Sequence, residues 1–213
     1  MNTRLTALLF ALFLLLPGVA TAQHHGHDHG PGDGYEVIAD GMRLAPPDGK
    51  IEVVEVFAYT CGHCNNFQPL VDEWLRRLPA DVRFAYLPAA FDPNDAYARS
   101  YFAAEALGLL KRTHHETFAA IHRTQALPPR GATHVEMATF AAGLGADRER
   151  FLAAMTSPET DRRMAHAREF AVRNGVFGTP TLVINGRYRV QGRTFAETLR
   201  IADELIARER AGH

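Results

Sequence analysis

The chain has 213 residues, a formal net charge of −1 and 46% hydrophobic residues. That is enough for one domain with an inserted subdomain and a core of its own, and it gives no electrostatic case for nucleic acid or an anionic membrane surface. The two cysteines, Cys61 and Cys64, would close too short a loop to restrict the unfolded chain much, so a purely structural staple is a weak reason for them.

Arg4, the apolar stretch Leu5–Leu16, Pro17-Gly18 and Ala20-Thr21-Ala22 read in order as a secretory signal peptide over residues 1–22, with an apolar run too short to span a bilayer. The expected mature chain starts at Gln23 and resides in an oxidising compartment such as a bacterial periplasm. Residues 23–34, "QHHGHDHGPGDG", offer nothing apolar to bury and read as a flexible tail. A free amine at Gln23, two amides and a third-position imidazole would suit copper or nickel, which makes His24 and His25 a speculative metal site, against the alternative of a solvated linker. A structural zinc site would need a second ligand pair that the rest of the chain lacks.

Pro46-Pro47-Asp48-Gly49 reads as a turn. Ile51–Tyr59, "IEVVEVFAY", is rich in β-branched and aromatic residues and fits a central strand covered on both faces, interrupted by Glu55. Phe67, Leu70, Val71, Trp74, Leu75 and Leu78 then recur at helical spacing up to Pro79, and Val82–Leu87 predicts a second strand. This βαβ unit puts the cysteine pair at a strand-to-helix turn.

From residue 92 to residue 175 only helices are expected, about five of them. Asp92-Pro93 predicts the start of one that carries Tyr97, Tyr101, Ala104 and Leu107 on one face. Capping boxes open two more, Thr113 with Glu116 and Thr133 with Glu136, and Asp147 and Ser157-Pro158 open the last two. "TLVI-NG-RYRV", Thr181–Val190, predicts a hairpin at Asn185-Gly186, and Thr194 with Glu197 opens a final helix with Phe195, Leu199, Ala202 and Ile206 inward. The order βαβ, helices, ββα is that of an α/β, thioredoxin-like fold split by a helical insertion: residues 35–91 and 176–213 form the thioredoxin-like domain, residues 92–175 the inserted subdomain.

A thiol reacts as thiolate, and three features favour thiolate on Cys61. The helix N-terminus aims unpaired N–H groups at it. Cys64, one turn on, can share a hydrogen bond and resolve a mixed disulfide. His63 can be cationic or donate. Stabilising the thiolate stabilises the reduced form and makes the disulfide an oxidant.

The C-x-H-C pair after an acid-bearing strand, the helical insertion and "GVFGTPTLVING" at Gly175–Gly186 together resemble the DsbA-type thiol:disulfide oxidoreductases of the bacterial periplasm. The resemblance covers Tyr35 to about Arg208. It implies a protein dithiol oxidase whose only redox group is the Cys61–Cys64 disulfide, with no other cofactor, working as a monomer. Cys61 would be the attacking cysteine, Cys64 the buried resolving one, and the Thr179–Pro180 bond cis. The loop Phe177-Gly178-Thr179-Pro180 would face the disulfide and pair with an extended client peptide. Glu55 matches the family's buried acid, the proton acceptor for Cys64; an edge-facing glutamate is the plain alternative, since Glu52 nearby reads as an exposed acid on the same strand. The implied partners are reduced or unfolded secreted proteins and a quinone-linked membrane reoxidase of DsbB type. Gly62, Thr179 and Tyr86 stand where the family's best-known member has a proline, an apolar residue and a basic residue.

Two other functions compete. A reductase or isomerase of the same fold would need an electron-supplying partner, and no separate dimerisation domain is evident. A copper carrier would use the histidine tail and a Cu(I)-binding dithiol. His114, His115, His122, His134 and His166 fall on helix faces without ligand spacing and are expected mostly at the surface. Phe67, Trp74 and Phe177 are expected in the core, with Phe177 also a candidate for the peptide groove.

Overall fold

The computed structural model describes residues 34–212, so the signal-peptide reading and the His24/His25 tail lie outside the described residues. Five strands form one mixed sheet in the order β1-β5-β4-β2-β3: β1 (Tyr35–Val37), β2 (Ile51–Phe57), β3 (Val82–Pro88), β4 (Thr181–Ile184) and β5 (Tyr188–Val190). β2 is parallel to β3 and antiparallel to β4, and all seven of its residues are buried, as a near-continuous apolar strand between two neighbours requires. β1 pairs with β5 at the edge; three residues without alternation give it no sequence signal.

Helix α1 (Gly62–Leu75) follows β2, and α7 (Phe195–Ala211) closes the chain. Phe67, Val71 and Trp74 of α1 share one apolar cluster with Leu199, Ile201, Ala202, Leu205 and Ile206 of α7 and with Val53 of β2. The Trp74 indole N–H donates to Asp203 at 2.7 Å, so the largest ring in this layer has its one polar atom satisfied. Between β3 and β4 the chain forms α2 (Ala96–Ala106), α3 (Leu110–His122), α4 (His134–Gly143), α5 (Arg148–Met155) and α6 (Pro158–Arg173). Their inward residues, among them Tyr97, Phe118, Met137, Met155 and Phe170, make a second cluster with Val54 and Val56 of β2.

Local chemistry sets most of the boundaries. Thr133 and Glu136 form a reciprocal capping box, and Asp147, Ser157 and Thr194 cap α5, α6 and α7. Asn185 and Gly186 take φ of 52° and 64°, the left-handed pair that a tight hairpin turn requires. At Gly186 an added Cβ would lie 2.5 Å from the Met42 carbonyl carbon, so the turn also needs the missing side chain.

Three expectations are corrected. Asp92 caps only a local turn, accepting from Asn94 N–H at 2.8 Å; the N-cap of α2 is Asp95. Thr113 opens no helix, because α3 begins one turn earlier at Leu110 and the Thr113 hydroxyl donates back to the Leu109 carbonyl. Glu52 is not exposed. It is 1% accessible and accepts from Leu44 N–H at 2.7 Å, Ala45 N–H at 3.0 Å and Arg83 at 2.8 Å, which ties the 44–45 segment to the sheet.

Candidate active site

β2 ends at Phe57, and a four-residue turn, Ala58–Cys61, leads into α1 with Cys61 N–H donating to the Ala58 carbonyl at 3.1 Å. Cys61 is the N-cap, in extended conformation, and its sulfur accepts from Cys64 N–H at 3.4 Å. One helical turn on, Cys64 is fully buried while Cys61 is partly open. This asymmetry gives the two thiols opposite chemistry. Hydrogen bonding from the Cys64 side chain, helped by the Thr179 side chain and the backbone N–H groups of Cys64 and His63, brings Cys61 down to about 5 against the opposing effect of burial. Cys64 is pushed far above the ordinary thiol range by the same bond to Cys61 and by burial.

The loop before β4 crosses over the pair. The Thr179–Pro180 bond is cis, and the Thr179 carbonyl oxygen lies 3.2 Å from the Cys61 sulfur. Phe177 is 89% accessible, so it belongs to the surface beside this loop and not to the core, whereas Phe67 and Trp74 are buried. His63 is exposed. Its ring lies edge-on to Phe195 at 6.3 Å, and what it gives the sulfur is its backbone N–H. His63, Phe67, Thr179, Pro180, Gln191 and Phe195 line a groove of about 450 Å³ beside Cys61.

Beneath the pair sits Glu55, 1% accessible, between Tyr86 of β3 and Leu182 of β4 in the sheet register. The solvated-edge alternative is therefore wrong. Its Oε2 has no hydrogen-bond partner among the described residues, and burial first, then the negative charges of Asp72 and Cys61, push the carboxyl up to about 8. Tyr86 accepts from Gln68 at 2.6 Å where a cation was absent from the sequence. Gln68 also donates to Asp72 at 3.2 Å, and its carbonyl oxygen faces His114 Nε2 at 3.2 Å.

His114 is buried, contrary to the surface expectation, and burial with the nearby His115 lowers it to about 3. Gln68 and Asp72 were not singled out in the sequence, and His114 was read there only as a surface histidine. Gln68 and Asp72 follow Cys64 on the inner side of α1 at i+4 and i+8, and that spacing is the signal that could have found them. Among the described residues no group of three His, Cys, Asp or Glu side chains could hold a metal ion, and no helix is long and apolar enough to cross a membrane.

A thioredoxin family model matches residues 39–204. The thiol:disulfide interchange protein DsbA of Pseudomonas aeruginosa is 38% identical over 214 aligned residues, covering 99% of this chain and 97% of the relative. The chain belongs to the DsbA family. A DsbA of Azotobacter vinelandii is 36% identical over 83% of each chain. The crystal structure of the oxidoreductase DsbA from Xylella fastidiosa, at 46% identity, superposes with a TM-score of 0.81 over 84% of this chain and 96% of that one. The protein is accordingly a thiol:disulfide oxidoreductase with the thioredoxin-like α/β fold of DsbA, and Cys61 and Cys64 stand in the C-x-x-C arrangement that disulfide exchange requires.

Proposed function

We propose that this DsbA-family protein is a periplasmic dithiol oxidase that passes its Cys61–Cys64 disulfide to reduced, newly exported proteins. The observation that carries the reading is the split between a thiolate-favouring Cys61 and a buried, thiol-favouring Cys64. A client thiolate attacks Cys61, the Cys61–Cys64 bond breaks, and Cys64 leaves with the electron pair and takes up a proton. A second client thiolate then attacks the client sulfur of the mixed disulfide and expels Cys61, which leaves readily because its thiolate is stabilised. The client loses two electrons and the enzyme gains them.

Glu55 is the proton exchanger for Cys64 in this reading, donating when Cys64 leaves and accepting when Cys64 attacks. Phe177, Gly178, Thr179 and Pro180 receive the client as an added extended strand, which reads backbone and so accepts many sequences. His63 borders the groove that the client occupies. The redox group is the disulfide alone, and reoxidation falls to a quinone-linked membrane protein of DsbB type. Residues 35–91 and 176–213 carry the chemistry of a monomer, with residues 92–175 as an inserted subdomain.

The test is the equilibrium constant of the disulfide against glutathione, read by thiol alkylation and mass. A strongly oxidising value supports the donor. A strongly reducing one, as in thioredoxin, removes the thiolate argument and leaves a reductase or a metal carrier.

A further inference from the structure

The turn that presents Cys61 is gripped from the helical insertion. His114, Phe118 and His122 recur at four-residue spacing on α3 and form one stripe facing Tyr59, two residues before Cys61. Three contacts converge on this one residue. His122 Nε2 donates to the Tyr59 backbone carbonyl at 2.7 Å, the Tyr59 hydroxyl meets His114 Nδ1 at 2.9 Å, and the Phe118 ring lies edge-on to the Tyr59 ring at 5.0 Å.

Hydrogen-bond accounting fixes the direction of this chain. Gln68 uses its amide nitrogen to donate to Tyr86 and Asp72, so its carbonyl oxygen is the atom that faces His114, and His114 must donate through Nε2. His114 Nδ1 is then an acceptor, and the Tyr59 hydroxyl is the donor to it. The ring end of Tyr59 is thus locked by a neutral histidine, and its carbonyl is held by the other histidine of the stripe.

The consequence reaches the sulfur through the backbone. Tyr59 and Thr60 are the two central residues of the turn closed by Cys61 N–H on the Ala58 carbonyl, and the Cys61 carbonyl in turn accepts from Asn65 N–H at 3.1 Å. Rotation of the Tyr59 peptide would swing the Cys61 sulfur off the N–H groups of α1. Without His122 a half-buried carbonyl at this point would lose the imidazole that holds it and be free to turn towards water.

We propose that the His114–Phe118–His122 stripe is a clasp by which the helical insertion fixes the active-site turn, with His122 as a positioning residue for Cys61. The inference rests on the oxidase reading and extends it to a part of the chain that touches neither sulfur.

The experiment compares wild type, His122→Leu and His122→Gln by the pH dependence of Cys61 alkylation in the reduced protein and by the glutathione equilibrium. Leucine keeps the bulk and removes the donor; glutamine restores a donor of similar reach. His122→Leu is expected to raise the alkylation midpoint by roughly one pH unit, the worth of one well-made hydrogen bond, and to make the disulfide about tenfold less oxidising, with His122→Gln close to wild type. An unchanged midpoint in His122→Leu, with or without a lower melting temperature, overturns the clasp. A wild-type midpoint in the ordinary thiol range would instead sink the oxidase reading itself. Should His122→Leu not fold, the imidazole ¹⁵N resonances of wild type decide: a His122 Nε2–H that is hydrogen-bonded and slow to exchange with solvent in the reduced protein supports the clasp, and one that exchanges freely overturns it.

Discussion

Cys61 and Cys64 differ by one turn of helix, and that turn separates a nucleophile from a resolving thiol. With Cys61 at about 5, its alkylation by iodoacetamide at pH 7 should run close to the maximal rate and fall only below that value, while Cys64 stays protected until the protein unfolds. Cys61→Ser should abolish disulfide transfer, and Cys64→Ser should accumulate mixed disulfides with clients on non-reducing gels. Turnover by either variant would reverse the assignments.

Glu55 makes the opposite case, a group held in an unfavourable state. Its folded value of about 8 lies above the ordinary 4.5, so the stability it contributes is fully present below pH 4.5 and is lost as pH rises towards 8. At about 1.4 kcal/mol per pH unit, the loss accumulated by pH 7 is roughly 3 kcal/mol. Glu55→Gln, which does not titrate, should therefore gain on wild type in urea unfolding between pH 5 and pH 8, and its resolution of a mixed disulfide by Cys64 should slow by roughly a hundredfold. A stability difference that is flat with pH would mean that Glu55 is ionised within the fold.

The elements were legible to the extent that their signals are local. Period-two and period-3.6 patterns, the Asn-Gly turn and four capping residues, Thr133, Asp147, Ser157 and Thr194, each depend on neighbours a few positions away. The start of α3 was not legible, since Leu109 caps nothing and the Thr113–Glu116 spacing that imitates a capping box lies inside the helix. Burial of Glu52 and His114 was hidden for a different reason. Among the side chains that pair with them are Arg83 and Tyr59, 31 and 55 positions away, and a charged or polar residue announces its exposure by default unless such a partner is known.

At the β4–β5 turn both kinds of signal meet. Asn185 tolerates positive φ, and its buried side chain accepts from Glu52 N–H at 2.8 Å and Arg43 at 2.6 Å while donating to Glu209 at 2.6 Å. Asn185→Ala should lower stability by roughly 2–4 kcal/mol, because it strains the turn and leaves buried groups unpaired; a loss well below 1 kcal/mol in chemical denaturation would show that water takes over these bonds.

For the molecule as a whole, His114, Glu55 and Cys61 each shape how stability follows pH, Cys61 depending on redox state directly and Glu55 through the Cys61 charge that helps to raise it. His114 is held down at about 3 from 6.5, so what it contributes is present above 6.5 and lost as pH falls through 3. Glu55 acts in the other sense between 4.5 and 8. The two slopes cancel between about pH 4.5 and 6.5, which predicts a plateau for the oxidised protein, with a decline on the alkaline side from Glu55 and on the acid side from His114.

Reduction adds Cys61, whose folded value of about 5 lies below the ordinary 9; its contribution is present above pH 9 and is lost as pH falls through 5. The reduced form should therefore gain on the oxidised form steadily from pH 5 to pH 9, and the gap between their urea midpoints should stop changing below about pH 5. Because the stability difference between the two forms and the redox equilibrium are two sides of one cycle, the same pH range should see the disulfide become a progressively stronger oxidant relative to an unfolded dithiol of the same spacing. A gap between the urea midpoints that stays constant from pH 5 to pH 9 would mean that the Cys61 thiolate owes nothing to the fold.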